Sequence, residues 1–269
     1  MNAVSCENLP APMKESNVKH LLLFPDRSLF VGALSDNGMH SHHALQIVCS
    51  QEPVSIQTEK GTLESSLTVI APNVRHAVSG NHPAQSILLI DGESSLCQSI
   101  EASTLVKNDV LTLEYPASFP SLISPGCQSS LEWMDALLSK LPGNPHTSRP
   151  VSLDPRIASA CAYIQKDPDL KASLIELAQH TGLSEGRFTH LFKEQMGIPL
   201  RKYILWLRLR KSVSALQHGM SLTDAAHEAG FADQAHMSRS FKESFGSSPA
   251  DLLTARGNVR ITFCQDGAD

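Results

Sequence analysis

Two copies of one helix-turn-helix pattern, about fifty residues apart, dominate the C-terminal part of this 269-residue chain. The first runs Leu174-Ile175-Glu176-Leu177-Ala178-Gln179-His180-Thr181-Gly182-Leu183-Ser184 and on to Phe192-Lys193-Glu194 and Gly197. The second runs Leu222-Thr223-Asp224-Ala225-Ala226-His227-Glu228-Ala229-Gly230-Phe231-Ala232 and on to Phe241-Lys242-Glu243 and Gly246. Such self-similarity is a fold-level signal, and it predicts two similar helical units in tandem.

The turn of each copy is built from residues with a physical reason to be there. Small side chains at Ala178, and at Ala225 and Ala226, let a second helix cross closely, and Gly182 and Gly230 suit the left-handed conformation that ends a helix. Leu183 and Phe231 are placed to bury the turn, while Ser184 and Asp233 are good N-caps for helices expected over residues 185–195 and 234–244. In the first helix Phe188, Leu191 and Phe192 face inward and leave Gly186, Arg187, Thr189 and His190 on or near the outer face. In the second, Met237, Phe241 and Phe245 take the inner side and leave Gln234, Ala235, His236, Ser238 and Arg239 outside. Any amphipathic helix has such a polar face. Duplication is what makes these two candidate major-groove readers, with Gln and Arg suited to adenine and guanine edges.

The stretch Ala225-Ala226-His227-Glu228-Ala229-Gly230-Phe231, followed by Ser238-Arg239-Ser240-Phe241-Lys242 and Phe245-Gly246-Ser247-Ser248-Pro249, closely resembles the signature of the AraC/XylS family of bacterial transcription regulators. Residues 155–255 as a whole are similar to that family's DNA-binding domain. The resemblance implies seven helices, with residues 199–217 as the long helix joining the two units. That segment reads as a helix unaided: Pro199 suits a first turn, Gly219 a stop, and Tyr203, Ile204, Leu207, Val213 and Leu216 form an apolar stripe. Its basic cluster, Arg201, Lys202, Arg208, Arg210 and Lys211, is placed to touch phosphates or to pack through its aliphatic stems. The sequence departs from the family at Ser212, commonly Ala. It also departs at Gly186, where a larger base-contacting side chain is common and where glycine weakens the helix by about 1 kcal/mol. The first unit is therefore expected to read sequence less sharply, with Thr189 and His190 on bases and Arg187 on a phosphate.

A net charge of −5 argues against a nucleic-acid partner until it is divided by region. Residues 1–150 hold 8 basic and 14 acidic side chains and residues 151–256 hold 13 and 11, so the acidity belongs to the first region. Binding then depends on where the cations sit and not on bulk charge. Between the regions, Leu141-Pro142-Gly143-Asn144-Pro145-His146-Thr147-Ser148-Arg149-Pro150 cannot be helix or central strand. The expected organisation is a first domain over 1–141, a linker over 142–152, a second domain over 153–256 and a tail over 257–269. Hydrophobic residues make up 41% of the chain and no apolar run approaches a membrane span, so a globular protein without a membrane partner is expected. The start carries no secretory pattern, and Cys6, Cys49, Cys97, Cys127, Cys161 and Cys264 show no C-x-x-C pairing. Both point to a cytoplasmic location and reduced thiols instead of a disulfide or zinc framework.

Upstream of the linker the pattern changes to short apolar or alternating runs at 21–34, 44–49, 54–58, 67–70 and 86–90, punctuated by Pro, Gly and Asn. These read as strands of a small antiparallel barrel, followed by helices over 93–100 and 128–141. The fold class is thus α+β in two domains: a cupin-like antiparallel β-barrel with helices, then an all-α domain of two helix-turn-helix units on a long helix. In the helix over 128–141, Leu131, Met134, Leu137, Leu138 and Leu141 form a stripe that is core or, as the family resemblance implies, a homodimer contact.

Met39-His40-Ser41-His42-His43-Ala44-Leu45-Gln46 and Pro72-Asn73-Val74-Arg75-His76 resemble the two motifs of the cupin barrels. Strand alternation brings His40, His42, Ala44 and Gln46 to one side and sends His43 to the opposite, surface side, while His76 at the edge of another run can complete a three-nitrogen set. The resemblance puts His40, His42 and His76 in the ligand places, but Gln46 stands where metal-binding cupins usually have Glu, which removes the anionic ligand. Three readings stay open: hydrogen-bonded structural histidines, an effector pocket of His40, His42, Gln46 and His76, and a divalent metal at His40, His42 and His76.

The function expected is a sequence-specific transcription regulator that binds promoter DNA and takes a small-molecule effector in its barrel. It would pair as a homodimer and, as an activator, touch RNA polymerase. A metal-dependent cupin-type enzyme with an accessory DNA-binding domain is the alternative. The neutral Gln46 and the complete tandem reader weigh against an enzyme.

Overall fold

A computed structural model describes residues 18–33, 37–80, 85–105, 109–114, 125–143, 153–246, 248–250 and 259–264. Lys19–Leu23 (β1) and Arg27–Val31 (β2) are separate strands, because the chain turns at Pro25 and Asp26 with the Phe24 amide donating to the Arg27 carbonyl at 2.9 Å. Ala44–Thr58 (β3) and Gly61–Ile70 (β4) form a long hairpin whose register shifts between Cys49 and Val54, so two of the apolar runs are halves of one bulged strand. His76–Ser79 (β5) and Ser86–Asp91 (β6) pair with opposite ends of β3, and Val110–Leu113 (β7) pairs with β4. Val259–Phe263 (β8) lies parallel to β1, giving the order β7-β4-β3-β6-β2-β1-β8 with β5 off this path on β3.

The sheet is therefore not the closed barrel expected. Among the described residues it is open, with β7 and β8 at its edges. The outer edge of β1, which a closing strand would need, has its hydrogen bonds taken by β8. That strand also corrects the reading of residues 257–269 as a tail. It is held by a Cys127–Cys264 disulfide, against the expectation of unpaired thiols, while Cys49, Cys97 and Cys161 are free and buried. A partner 137 positions away leaves no local spacing pattern to read.

Ser95–Ile100 (α1) runs into a π-helical stretch, Glu101–Leu105, and Cys127–Leu138 (α2) crosses one sheet face. Met134, Leu137, Leu138 and Leu141 are buried there against Leu22, Leu45, Ile47, Leu88 and Ile90, with Leu131 at the margin. The leucine stripe is thus core. At about 1.5–3 kcal/mol for each such side chain, its burial is the main force holding α2 to the sheet.

The C-terminal region holds Pro155–Lys166 (α3), Leu174–Thr181 (α4), Glu185–Met196 (α5), Leu200–Gln217 (α6), Leu222–Glu228 (α7) and Gln234–Phe245 (α8). These are six of the seven helices implied; residues 251–258 and most of the linker, 144–152, lie outside the described residues. α6 belongs to both cores, giving Tyr203 and Trp206 to one with Phe188 and Phe192, and Leu209 and Val213 to the other with Phe231, Met237 and Phe241. Its burial extends beyond the predicted stripe because the sheet covers it too. Ala44 enters the first helical core, and Leu21, Leu23 and Ile261 pack on the second. Among the described residues, no helix is long and apolar enough to cross a membrane.

The disulfide closes a loop that contains all of α3–α8. Reduction is expected to lower stability by about 2–4 kcal/mol, seen as a fall in thermal midpoint with dithiothreitol that the Cys264→Ser variant does not show. An unchanged midpoint would mean that sheet pairing alone holds β8.

Candidate functional site

The two helix-turn-helix units are closed by the same bond. The Leu183 amide donates to the Ala178 carbonyl and the Phe231 amide to the Ala226 carbonyl, both at 2.9 Å, across Gly182 and Gly230 with φ of 67° and 80°. Ser184 caps α5 by accepting from the Arg187 amide, and Asp233 caps α8 by accepting from the His236 amide at 2.6 Å. On α5, Phe188, Leu191 and Phe192 are buried and Gly186, Arg187, Thr189 and His190 are all exposed, with His190 beside Glu194 at 3.6 Å. On α8, Ala235 and Arg239 are exposed, while Gln234, His236 and Ser238 are half-buried. Gln234 accepts from Thr223 Oγ1 at 3.0 Å and His236 stands edge-on to Phe231, so Arg239 is the long side chain of that face least engaged within the fold.

The basic cluster on α6 is mostly spent inside the molecule. Arg208 donates to the Leu170 carbonyl at 3.1 Å, and Lys211 to the Pro168 carbonyl at 2.8 Å while pairing with Glu228 at 2.9 Å. Arg210 binds the Asp91 carboxylate and donates to the Phe24 and Pro25 carbonyls at 3.0 and 3.1 Å. Only Arg201 and Lys202 of the five are exposed.

His40, His42, His76 and Gln46 do come together. The His40 and His76 backbones exchange two 2.9 Å hydrogen bonds, the three rings lie 4.4 to 5.6 Å apart by centroid, and all four residues are buried. Burial, with the neighbouring imidazoles, lowers His42 to about 3 and His76 to about 4, so the rings are neutral at pH 7. His43 is not the surface group expected. It lies between the domains, 3.2 Å from the Glu93 carboxylate and edge-on to Tyr203, whose hydroxyl accepts from Gln165 Nε2 at 2.9 Å. Burial pushes Glu93 up, but the His43 and Tyr203 contacts overcome this and hold it below the ordinary carboxylate range.

Asp91, at the end of β6, grips α6. Its carboxylate accepts from Trp206 Nε1 at 3.2 Å and pairs with Arg210, and burial pushes it up to about 7 against the pull of that guanidinium. Beside this clasp lies a cavity of about 500 Å³ between the two domains. Its walls are Leu21, Leu23, Phe30, Ile87 and Leu89 from the sheet and Trp206, Val213, Phe241 and Phe245 from the helices; His40, His42, Gln46 and Arg210 supply polar positions. The end of α8 lies against the same region. The Gly38 amide donates to the Gly246 carbonyl at 3.1 Å, and a Cβ on Gly246 would meet Gly38 O at 2.5 Å, so only glycine allows α8 to end there. Sequence reasoning missed Asp91, Glu93 and Trp206 and took Phe245 only as core, because an acid after an apolar strand reads as surface and helical periodicity alone does not show that a cavity lies beside the helix.

In comparison with known proteins, residues 177–255 match the family described as a helix-turn-helix domain. The chain is 33% identical over 102 residues to the arabinose operon regulatory protein of Salmonella typhimurium, covering 37% of this chain and 36% of that protein. It is 35% identical over 81 residues to the transcriptional activator RhaS of Escherichia coli, covering 30% and 29%. The chain thus matches about a third of the length of these curated relatives. Among solved structures, ToxT from Vibrio cholerae is similar over 85% of this chain and 98% of its own, at a TM-score of 0.56 and 14% identity. ToxT with an unsaturated fatty acid bound gives 0.56 at 13% identity, over 85% and 93%. These likenesses show a shared fold.

Removing the Asp91 charge leaves Arg210 facing carbonyls without its carboxylate. Asp91→Ala is expected to cost roughly 3 kcal/mol in urea unfolding, and Arg210→Met in the same background to recover part of it. A loss below about 0.5 kcal/mol would place the pair among surface ion pairs.

Proposed function

We propose, from the helix-turn-helix match of residues 177–255 and the likeness to the arabinose operon regulatory protein, that this chain is an AraC-type DNA-binding transcription regulator governed by a small molecule held between its domains. One observation carries the coupling: the cavity walls come from both domains, including Trp206 and Val213 of the helix that carries both readers. An occupant that fits one arrangement of the domains better than another shifts the balance between them by that difference in affinity. Recognition of promoter DNA falls to Gly186, Arg187, Thr189 and His190 in the first unit and Gln234, Ala235, His236, Ser238 and Arg239 in the second, with Arg239 as the strongest base reader. The mainly apolar walls and polar end favour a small, largely apolar effector with one polar or acidic group. The fatty acid bound to ToxT, a protein of the same fold, supports that class.

The curated relatives are regulators, which favours this reading over the cupin-type enzyme. Activation, with contact to RNA polymerase, follows the relatives named as activators. Homodimerisation and a cytoplasmic site of action complete the proposal, although the leucine stripe of α2 is spent in the core and pairing needs another surface. The domain limits 1–141 and 153–256, joined over 142–152, are retained, with β8 assigned to the first domain.

Arg239→Ala is expected to weaken specific binding by about 1–3 kcal/mol and to relax one operator position, and His190→Ala to cost less. Gel-shift titration checks both, and an equal or larger loss at His190 would invert the ranking of the units. If one chain places both readers on one face of the duplex, hydroxyl-radical protection falls in two major-groove segments about 10 to 10.5 base pairs apart. Protection of a single segment would mean that one unit binds alone. For the effector, Leu89→Trp projects an indole into the cavity and is expected to weaken the thermal shift produced by medium-chain carboxylic acids while DNA retention persists. An undiminished shift would move the effector elsewhere.

A further inference from the structure

The hydrogen bonds of the histidine cluster fix its tautomers. His40, His42 and His76 each place Nδ1 on a backbone carbonyl, of Gly38 at 2.8 Å, Ala44 at 2.9 Å and Val74 at 2.9 Å respectively. A carbonyl only accepts, so each neutral ring carries its proton on Nδ1 and presents a bare lone pair at Nε2. Gln46 Oε1, also only an acceptor, stands 3.0 Å from His42 Nε2 and 3.3 Å from His76 Nε2, while the Gln46 amide nitrogen is buried without a hydrogen-bond partner. Acceptors therefore converge on acceptors in a buried site, with no proton between them.

A cation is what such a set lacks. We propose that Nε2 of His40, His42 and His76, with Oε1 of Gln46, binds one divalent transition-metal ion of the zinc, cobalt, nickel or ferrous class. One ring nitrogen of each histidine lies within 4.8 Å of those of the other two, and the 3.0 and 3.3 Å contacts to Gln46 are close to the spacing of neighbouring ligands around an ion with bonds of about 2.0–2.1 Å. The three Nδ1–H···O=C bonds are the outer support that ligating imidazoles ordinarily have, here supplied before any ion arrives. Neutral nitrogen donors with one amide oxygen select these metals over calcium or magnesium, which prefer several oxygens. His40, His42 and Gln46 also line the cavity, so an ion they hold offers a position to the polar end of an occupant. That last step rests on the effector reading; the metal site does not.

The test is a titration of chelator-treated, full-length protein with Co(II), followed by its visible d–d absorption, with zinc competition and elemental analysis for stoichiometry. One equivalent is expected, bound at least roughly a hundredfold more weakly by His76→Ala and at least roughly tenfold more tightly by Gln46→Glu, which restores an anionic oxygen at the same reach. Wild-type protein that is folded by circular dichroism but takes up no cobalt would overturn the site, and would mean that the Gln46 amide is turned end for end and donates to the rings itself. Uptake unchanged in a folded His76→Ala variant would overturn it equally. Should that variant not fold, a Gln46→Glu protein no tighter than wild type decides against the site. Gel-shift of the same preparations reads DNA binding separately, so failure of the regulator reading and failure of the metal site are distinct results.

Discussion

The carboxylate of Asp91 is the point on which the arrangement of the two domains turns. It leaves the end of β6 and holds both Trp206 and Arg210 on α6, the one helix that contributes to both helix-turn-helix cores. Arg210 extends the grip to the Phe24 and Pro25 carbonyls at the β1–β2 corner, satisfying backbone acceptors that the turn exposes. A group buried this deeply is expensive to ionise, and its neighbours offset that cost with two donors from one helix face, four residues apart. The cavity exists because this clasp, together with the His43–Glu93–Tyr203 contacts, sets the separation of sheet and helices.

Local patterns were the legible part of this molecule. Capping residues, turn glycines and helical periodicity placed α5, α6 and α8 to within about a residue. His40, His42 and Gln46 do meet, but not by strand alternation: β3 begins at Ala44, and the His40–His76 bridge brings the preceding loop over Gln46. Pairings across the chain were not legible. β8 is a five-residue strand whose partner lies 240 positions earlier, and nothing in Val259-Arg260-Ile261-Thr262-Phe263 says whether it pairs or hangs free. His43 was assigned to the surface by strand alternation, but it lies in the bend before β3, which turns it toward Glu93 and Tyr203. The α6 cations stayed open between two roles for a related reason: Arg208, Arg210 and Lys211 have the look of a phosphate-binding row, yet the nearest acceptors are carbonyls and carboxylates of this chain.

The loops that carry the histidines also meet the ends of both readers. Gly38 bonds to Gly246 after α8, and Asn73, whose amide donates to the His42 carbonyl, approaches Gly197 after α5. These loops thus touch the C-terminal ends of α5 and α8 directly, through contacts one or two residues long. Coupling by this route needs no extended relay of side chains, since site and readers share a wall.

The parallel pairing of β8 with β1 makes the helical domain an insertion between strands of one sheet, attached at its entry and again at its exit. A domain on a single tether samples a wide cone of orientations. One that leaves and rejoins the same sheet has both its ends referred to a single rigid body. A molecule that wedges the cavity open would therefore strain one sheet against a domain rooted in that sheet at both ends.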